Sequence, residues 1–217
     1  FADNRVHRLD FAGDDDAQPV PVALTAGGKQ RFADFVVDRA RGRLIGVREL
    51  HGEDGHGEPS NTICAIGIAD GGETVLAQGA DFYSSPRLSP DGRALAWLTW
   101  DHPRMPWQGT ELWLADLDES GAVANAHLVA GGPDESICQP EWSPSGVLHF
   151  VSDRSGWWNL YRFAGGDVQP LCKRTAEFGG PHWNFGASMY GFRSDAEIIC
   201  TFIENGVSRL ARLAAAS

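Results

Sequence analysis

Residues 94–100 read ALAWLTW, with Leu95, Trp97 and Thr99 on one face of an extended chain and Ala96, Leu98 and Trp100 on the other. A sheet with one wet face alternates apolar with polar residues. This run does not alternate, so it predicts an antiparallel strand covered on both sides. Residues 85–88 form a short extended segment before it. Between the two lies Ser89-Pro90-Asp91-Gly92, a tight turn: Pro90 presets φ, Asp91 bonds its own backbone and Gly92 accepts positive φ. Residues 101–109 contain Pro103 and Pro106 and cannot continue the strand. A third apolar run covers residues 111–117, a turn follows at 118–121, and a fourth strand is predicted at 126–129.

The same order of strand, turn, strand, long loop, strand, turn and strand recurs along the chain. It divides the sequence into a half unit at 1–30 and units at 31–80, 81–134, 135–177 and 178–217. Pro86-Arg87-Leu88-Ser89-Pro90-Asp91-Gly92 is answered by Pro140-Glu141-Trp142-Ser143-Pro144-Ser145-Gly146, and more loosely by Pro181-His182-Trp183-Asn184-Phe185-Gly186. In the last unit, Pro181-His182-Trp183 is expected as the opening strand, followed by strands at 187–192, 197–203 and 207–213 and a hairpin turn at Asn205-Gly206. A period of roughly 40 to 55 residues with strands buried on both faces is the pattern of propeller blades. The expected fold is therefore all-β, a β-propeller fragment of about four and a half four-stranded antiparallel blades.

Composition narrows the functional classes. The 217 residues carry 18 Lys and Arg against 29 Asp and Glu, a net charge of −11, which argues against a nucleic-acid surface. No apolar run approaches the roughly 18 residues of a membrane helix. Eight tryptophans suit a large sheet core. The chain opens on Phe1 inside an extended segment, so it reads as a piece of a longer protein.

Metal and nucleophile chemistry find little support. Cys64, Cys138, Cys172 and Cys200 are widely spaced, with no CxxC pair, and are expected as free, mostly buried thiols. Asp14-Asp15-Asp16 lacks the glycine and glutamate of a calcium loop and reads as a solvated turn. The loop around His51 and His56 mixes imidazole with Glu49, Glu53, Asp54 and Glu58, but its spacing fits no rigid metal site. No cofactor is expected. The nearest approach to a G-x-S-x-G nucleophile elbow, Gly186-Ala187-Ser188-Met189-Tyr190, ends in Tyr where Gly is required. No serine here is expected to act as a nucleophile.

The Ser-Pro-Asp-Gly turns and the segment SDRSGWWNLY at 152–161 resemble TolB-like propeller blades. Taken with GGPDESICQPEWSPSG and EFGGPHWNFG, the stretch 81–186 resembles the N-terminal propeller of prolyl oligopeptidase-family serine peptidases, of the acylaminoacyl-peptidase or dipeptidyl-aminopeptidase type. That resemblance implies a non-catalytic propeller that caps an α/β-hydrolase domain, which carries the catalytic triad and follows it in the parent chain. The propeller would admit only short peptide substrates. The family and the free thiols together imply a cytoplasmic protein. The competing reading is a TolB-like interaction scaffold with no enzyme attached.

In a propeller, the loops between second and third strands share one rim. Two such loops supply the candidate substrate-facing residues: Arg104, Trp107 and Glu111 from one, Arg154, Trp157 and Trp158 from the other. Arg can take a peptide carboxylate in a two-point bond, Glu can pair with an α-amino group, and Trp offers a flat apolar wall. The competing expectation is that these side chains pack the loops against neighbouring blades. Incomplete blades should also leave sheet faces uncovered and favour self-association.

Overall fold

The computed structural model describes residues 3–11, 19–52 and 57–215. All regular structure among them is β-strand. The chain divides into two compact units, Phe1–Gly79 and Ala80–Ser217.

In the first unit, β1 (His7–Arg8) pairs antiparallel with β2 (Val22–Ala23). A four-stranded antiparallel sheet follows in the order β3 (Gln30–Asp38), β4 (Arg43–Leu50), β5 (Ser60–Gly67) and β6 (Glu73–Ala77). Ile45, Ile63 and Ile66 are wholly buried there. Asp38 ends β3 fully buried and accepts from the Arg41 and Arg43 side chains at 3.2 and 2.9 Å, which closes the turn into β4.

The second unit repeats that sheet twice and then shortens it. β7 (Phe82–Leu88), β8 (Ala94–Trp100), β9 (Glu111–Leu117) and β10 (Val123–Gly131) lie side by side in sequence order. So do β11 (Ile137–Trp142), β12 (Leu148–Ser152), β13 (Asn159–Ala164) and β14 (Asp167–Pro170). The last sheet has three strands, β15 (Tyr190–Ser194), β16 (Glu197–Glu204) and β17 (Val207–Ala214).

These sheets stack face to face. Leu98 and Leu112 of one pack with Ile137, Leu148 and Phe150 of the next. Val151 and Leu160 on that sheet's other face pack with Ile198 and Phe202 of the third. Strand β8 is buried at its five central positions, because both its faces are covered. Each such fully buried Leu or Phe contributes about 1.5–3 kcal/mol. The molecule is thus an all-β propeller fragment of antiparallel sheets, as its strand pattern predicts.

The repeat extends to details. Ser89 and Ser143 sit where Asp38 sits in the first unit, and their hydroxyls accept from the Ala94 and Val147 amides at 2.9 and 3.1 Å. The opening strand of each four-stranded sheet is also bulged, with a non-glycine residue at positive φ: Asp34 at 55°, Ser85 at 52° and Gln139 at 47°. Bulges of this kind re-aim a strand and its side chains.

The last sheet departs from the sequence expectation. Residues 181–189 form no strand, and β15 at Tyr190–Ser194 opens the sheet instead. Pro181 offers no amide donor, and Gly179 lies so close to Val151, Cys138 and Trp158 that a side chain there would clash. The segment therefore runs as a loop along its neighbour. The Asn205-Gly206 hairpin forms as expected, with φ of 52° and 75°. The acidic turn at 14–16, and His56, Glu53 and Asp54, lie outside the described residues. His51 Nε2 approaches Glu49 to 2.7 Å.

Candidate binding cavity

The loop between β8 and β9 is built from reciprocal polar bonds. Asp101 accepts from the Asp81 amide at 2.7 Å, and Asp81 accepts from the His102 amide at 3.0 Å. Gln108 Oε1 accepts from the Met105 amide at 2.7 Å, and the Pro106 carbonyl accepts from the Ser136 hydroxyl at 2.6 Å. Phe82 stacks on Trp100 at 5.3 Å, and His102 meets Phe82 edge-on at 4.8 Å. Such a loop presents Arg104, Met105 and Trp107 from a fixed base.

The facing segment, 178–189, is held by Gln139. Its amide oxygen accepts from the Met189 amide at 2.6 Å, and its Nε2 donates to the Tyr190 carbonyl at 2.7 Å and the Ser188 hydroxyl at 3.1 Å. Trp183 leans on Trp107 with ring centres 4.2 Å apart. Between the two segments lies a cavity of about 650 Å³. Its walls include Phe82, Trp100, Trp107, Trp183 and Phe185. That size and lining suit a small organic ligand.

The charges in the wall are one-sided. Arg87 and Arg104 line the cavity, and among the described residues no Asp or Glu does. Arg87 is neutralised by Glu141, whose carboxylate accepts from its Nε at 3.0 Å. Arg104 makes no ion pair among the described residues. His182 also lines the cavity. Burial pushes its imidazole below the ordinary value, only partly opposed by the Gly180 carbonyl, so it is neutral at pH 7.

Of the six residues singled out from sequence, Arg104 and Trp107 line this cavity and the other four do not. Glu111 accepts from the Trp113 indole at 3.0 Å. Arg154 forms a two-point bond with Glu135 at 2.8 and 3.1 Å and covers the Tyr161 ring at 5.4 Å. Trp158 packs against the core between the last two sheets and meets His182 edge-on at 6.0 Å. Trp157 is 40% exposed, and its carbonyl caps Ser155 and Asn159. Wall residues that were not singled out include Arg87, Gln139, Trp183 and Phe185. The signal for the last two was the decayed repeat itself, in which aromatic residues replace the Ser-Pro turn.

Ser188 lies in the Gln139 clamp, donating to the Tyr190 carbonyl at 3.2 Å. Its hydroxyl is committed to structure. Among the described residues, no group of three His, Cys, Asp or Glu side chains is placed to hold a metal ion.

No family model and no curated protein matches the sequence. Solved structures do. A puromycin hydrolase is 36% identical over 99% of this chain, with a TM-score of 0.89. A puromycin-hydrolyzing peptidase from Mycobacterium tuberculosis is 33% identical over 97% of the chain, with a TM-score of 0.84. The chain matches the propeller region of prolyl oligopeptidase-family peptidases. This propeller segment spans about a third of those two chains, 34% and 33% of their lengths. TolB from Acinetobacter baumannii matches 90% of it at 17% identity and a TM-score of 0.58, over 44% of TolB's own length. Prolyl oligopeptidase B from Galerina marginata matches 86% at 11% identity and a TM-score of 0.65, over 26% of its length. Both of these share the propeller's fold.

Proposed function

We propose that this segment is the non-catalytic propeller of a serine peptidase, that it covers the active site of an adjoining α/β-hydrolase domain, and that it limits entry to short peptides and aminoacyl amides such as puromycin. The observation that carries this reading is the 36% identity to a puromycin hydrolase across 99% of the chain. The absence of a G-x-S-x-G elbow, and the structural commitment of Ser188, agree with bond cleavage residing elsewhere. The propeller's contribution is positioning and exclusion: it holds a substrate against the nucleophile and bars folded proteins.

The test uses the full-length protein. It is incubated with a dipeptide anilide, with puromycin and with an unfolded protein. The expected result is cleavage of the small amides and no cleavage of the protein. A well-folded full-length protein that hydrolyses none of them, or that degrades the protein substrate as readily, would overturn the proposal. In the first case a TolB-like scaffold takes its place.

A further inference from the structure

The cavity between the 101–109 loop and the 178–189 segment combines three properties that together select a ligand. The first is a set of flat aromatic walls: Trp107 and Trp183 lean together at 4.2 Å, and Phe82 stacks on Trp100 at 5.3 Å. Stacking of this kind favours planar rings.

The second is charge. In a chain of net charge −11 with 29 acidic residues, the cavity wall holds two guanidinium groups and, among the described residues, no carboxylate. One of the two, Arg87, is already paired with Glu141. Arg104 is exposed at the wall and makes no ion pair among the described residues. A planar guanidinium beside aromatic faces is suited to a carboxylate, which it holds by two parallel bonds.

The third is unmet polarity. Ser84 is only 4% exposed and its Oγ has no hydrogen-bond partner, and His182 Nε2 is likewise buried without one. Both residues belong to the wall. Buried polar atoms are rarely left unpaired in a finished site.

The geometry points to this cavity as a subsite for an aromatic amino-acid residue that carries a free carboxylate, its ring against the wall formed by the paired tryptophans and its carboxylate on Arg104. A short peptide ending in Phe, Tyr or Trp presents that pair of groups. The inference rests on the peptidase reading for its biological setting, and its test does not require turnover.

Binding of N-acetylphenylalanine, N-acetylphenylalaninamide and N-acetylalanine to the full-length protein is measured by calorimetry. The free aromatic acid should bind at least about tenfold more tightly than its amide and than the alanine acid. Arg104→Gln should bring the aromatic acid and amide to within about twofold of each other. Trp183→Ala should do the same for the aromatic and alanine acids. Trp183 is 73% exposed, so neither change removes core packing, and circular dichroism checks the fold. Equal binding of acid and amide, or a preference that persists in Arg104→Gln, overturns the assignment. Hydrolysis is assayed in parallel. Retained acid-selective binding without any turnover keeps the cavity and discards the peptidase reading. Turnover without acid-selective binding does the reverse.

Discussion

The Tyr190 hydroxyl donates to the Gln139 carbonyl at 3.0 Å, while the Gln139 side-chain amide donates back to the Tyr190 carbonyl at 2.7 Å. This reciprocal pair locks the first strand of the last sheet onto the first strand of the sheet before it. Both residues are buried, and Gln139 sits at a φ of 47° to make the exchange.

Gln139→Met should therefore destabilise the protein by about 1–3 kcal/mol, because it strands the part-buried Met189 amide and removes one of the donors to the buried Tyr190 carbonyl. Tyr190→Phe should cost about 1 kcal/mol, since it removes one bond and keeps the ring. Denaturant unfolding reads both. An unchanged midpoint for Gln139→Met would show that the clamp is not structural.

Two glycines at positive φ, one ending β10 and one in a turn, should respond differently to alanine. Gly131 has φ of 98°, and an added Cβ would fall on the Thr110 carbonyl oxygen. Gly131→Ala should cost more than about 3 kcal/mol. Gly146 has φ of 86° with open space around it, so Gly146→Ala should cost only the backbone strain, about 1–2 kcal/mol. Thermal melts that rank the two in the opposite order would contradict the packing at β9 and β10.

Acid should weaken the fold from the ordinary histidine range downward. Burial lowers the His149 imidazole below its ordinary 6.5, with Arg162 adding to this and the Val147 carbonyl and Asp195 opposing it. The unfolded chain then takes up the proton first. His149 contributes full stability above pH 6.5 and loses it as pH falls from there toward the lower native value. His149→Asn should flatten the stability profile between pH 7.5 and 5 (about one titrating group's worth of slope). An identical slope in variant and parent would assign the acid sensitivity to another group, such as His182.

Thiol reactivity should be confined. All four cysteines are free, and only Cys172 is more than slightly exposed. Burial pushes the Cys138 thiol up to about 12. A disulfide reagent should modify Cys172 slowly in the native protein, and all four in denaturant. Rapid native labelling of Cys138 would mean that its sheet opens.

The isolated segment should self-associate. Val207 and Leu210 on the outer strand of the last sheet are 53% and 75% exposed. Light scattering over a range of concentrations reads this, and a monomer throughout would count against it.

The strands were legible because their cause is local. ALAWLTW at 94–100 is apolar on both faces, and the structure covers both. Ser89 and Ser143 ahead of their Pro residues mark turns whose hydroxyl bonds are local too. Of the six side chains named from sequence, two reach the cavity. Arg104 and Trp107 line the cavity, whereas Arg154 resembled them in sequence and was taken by Glu135. That pairing spans 19 residues and carries no local mark.

By itself, then, the order of apolar and turn-forming residues determined the sheets, their strand sequence and the family, since each depends on neighbours a few positions apart. Tertiary structure alone decided that residues 181–189 leave the sheet and that Gln139 at positive φ clamps them. It also decided which guanidinium faces the cavity without a carboxylate. Those outcomes depend on groups up to 51 residues away, which meet only when successive sheets stack.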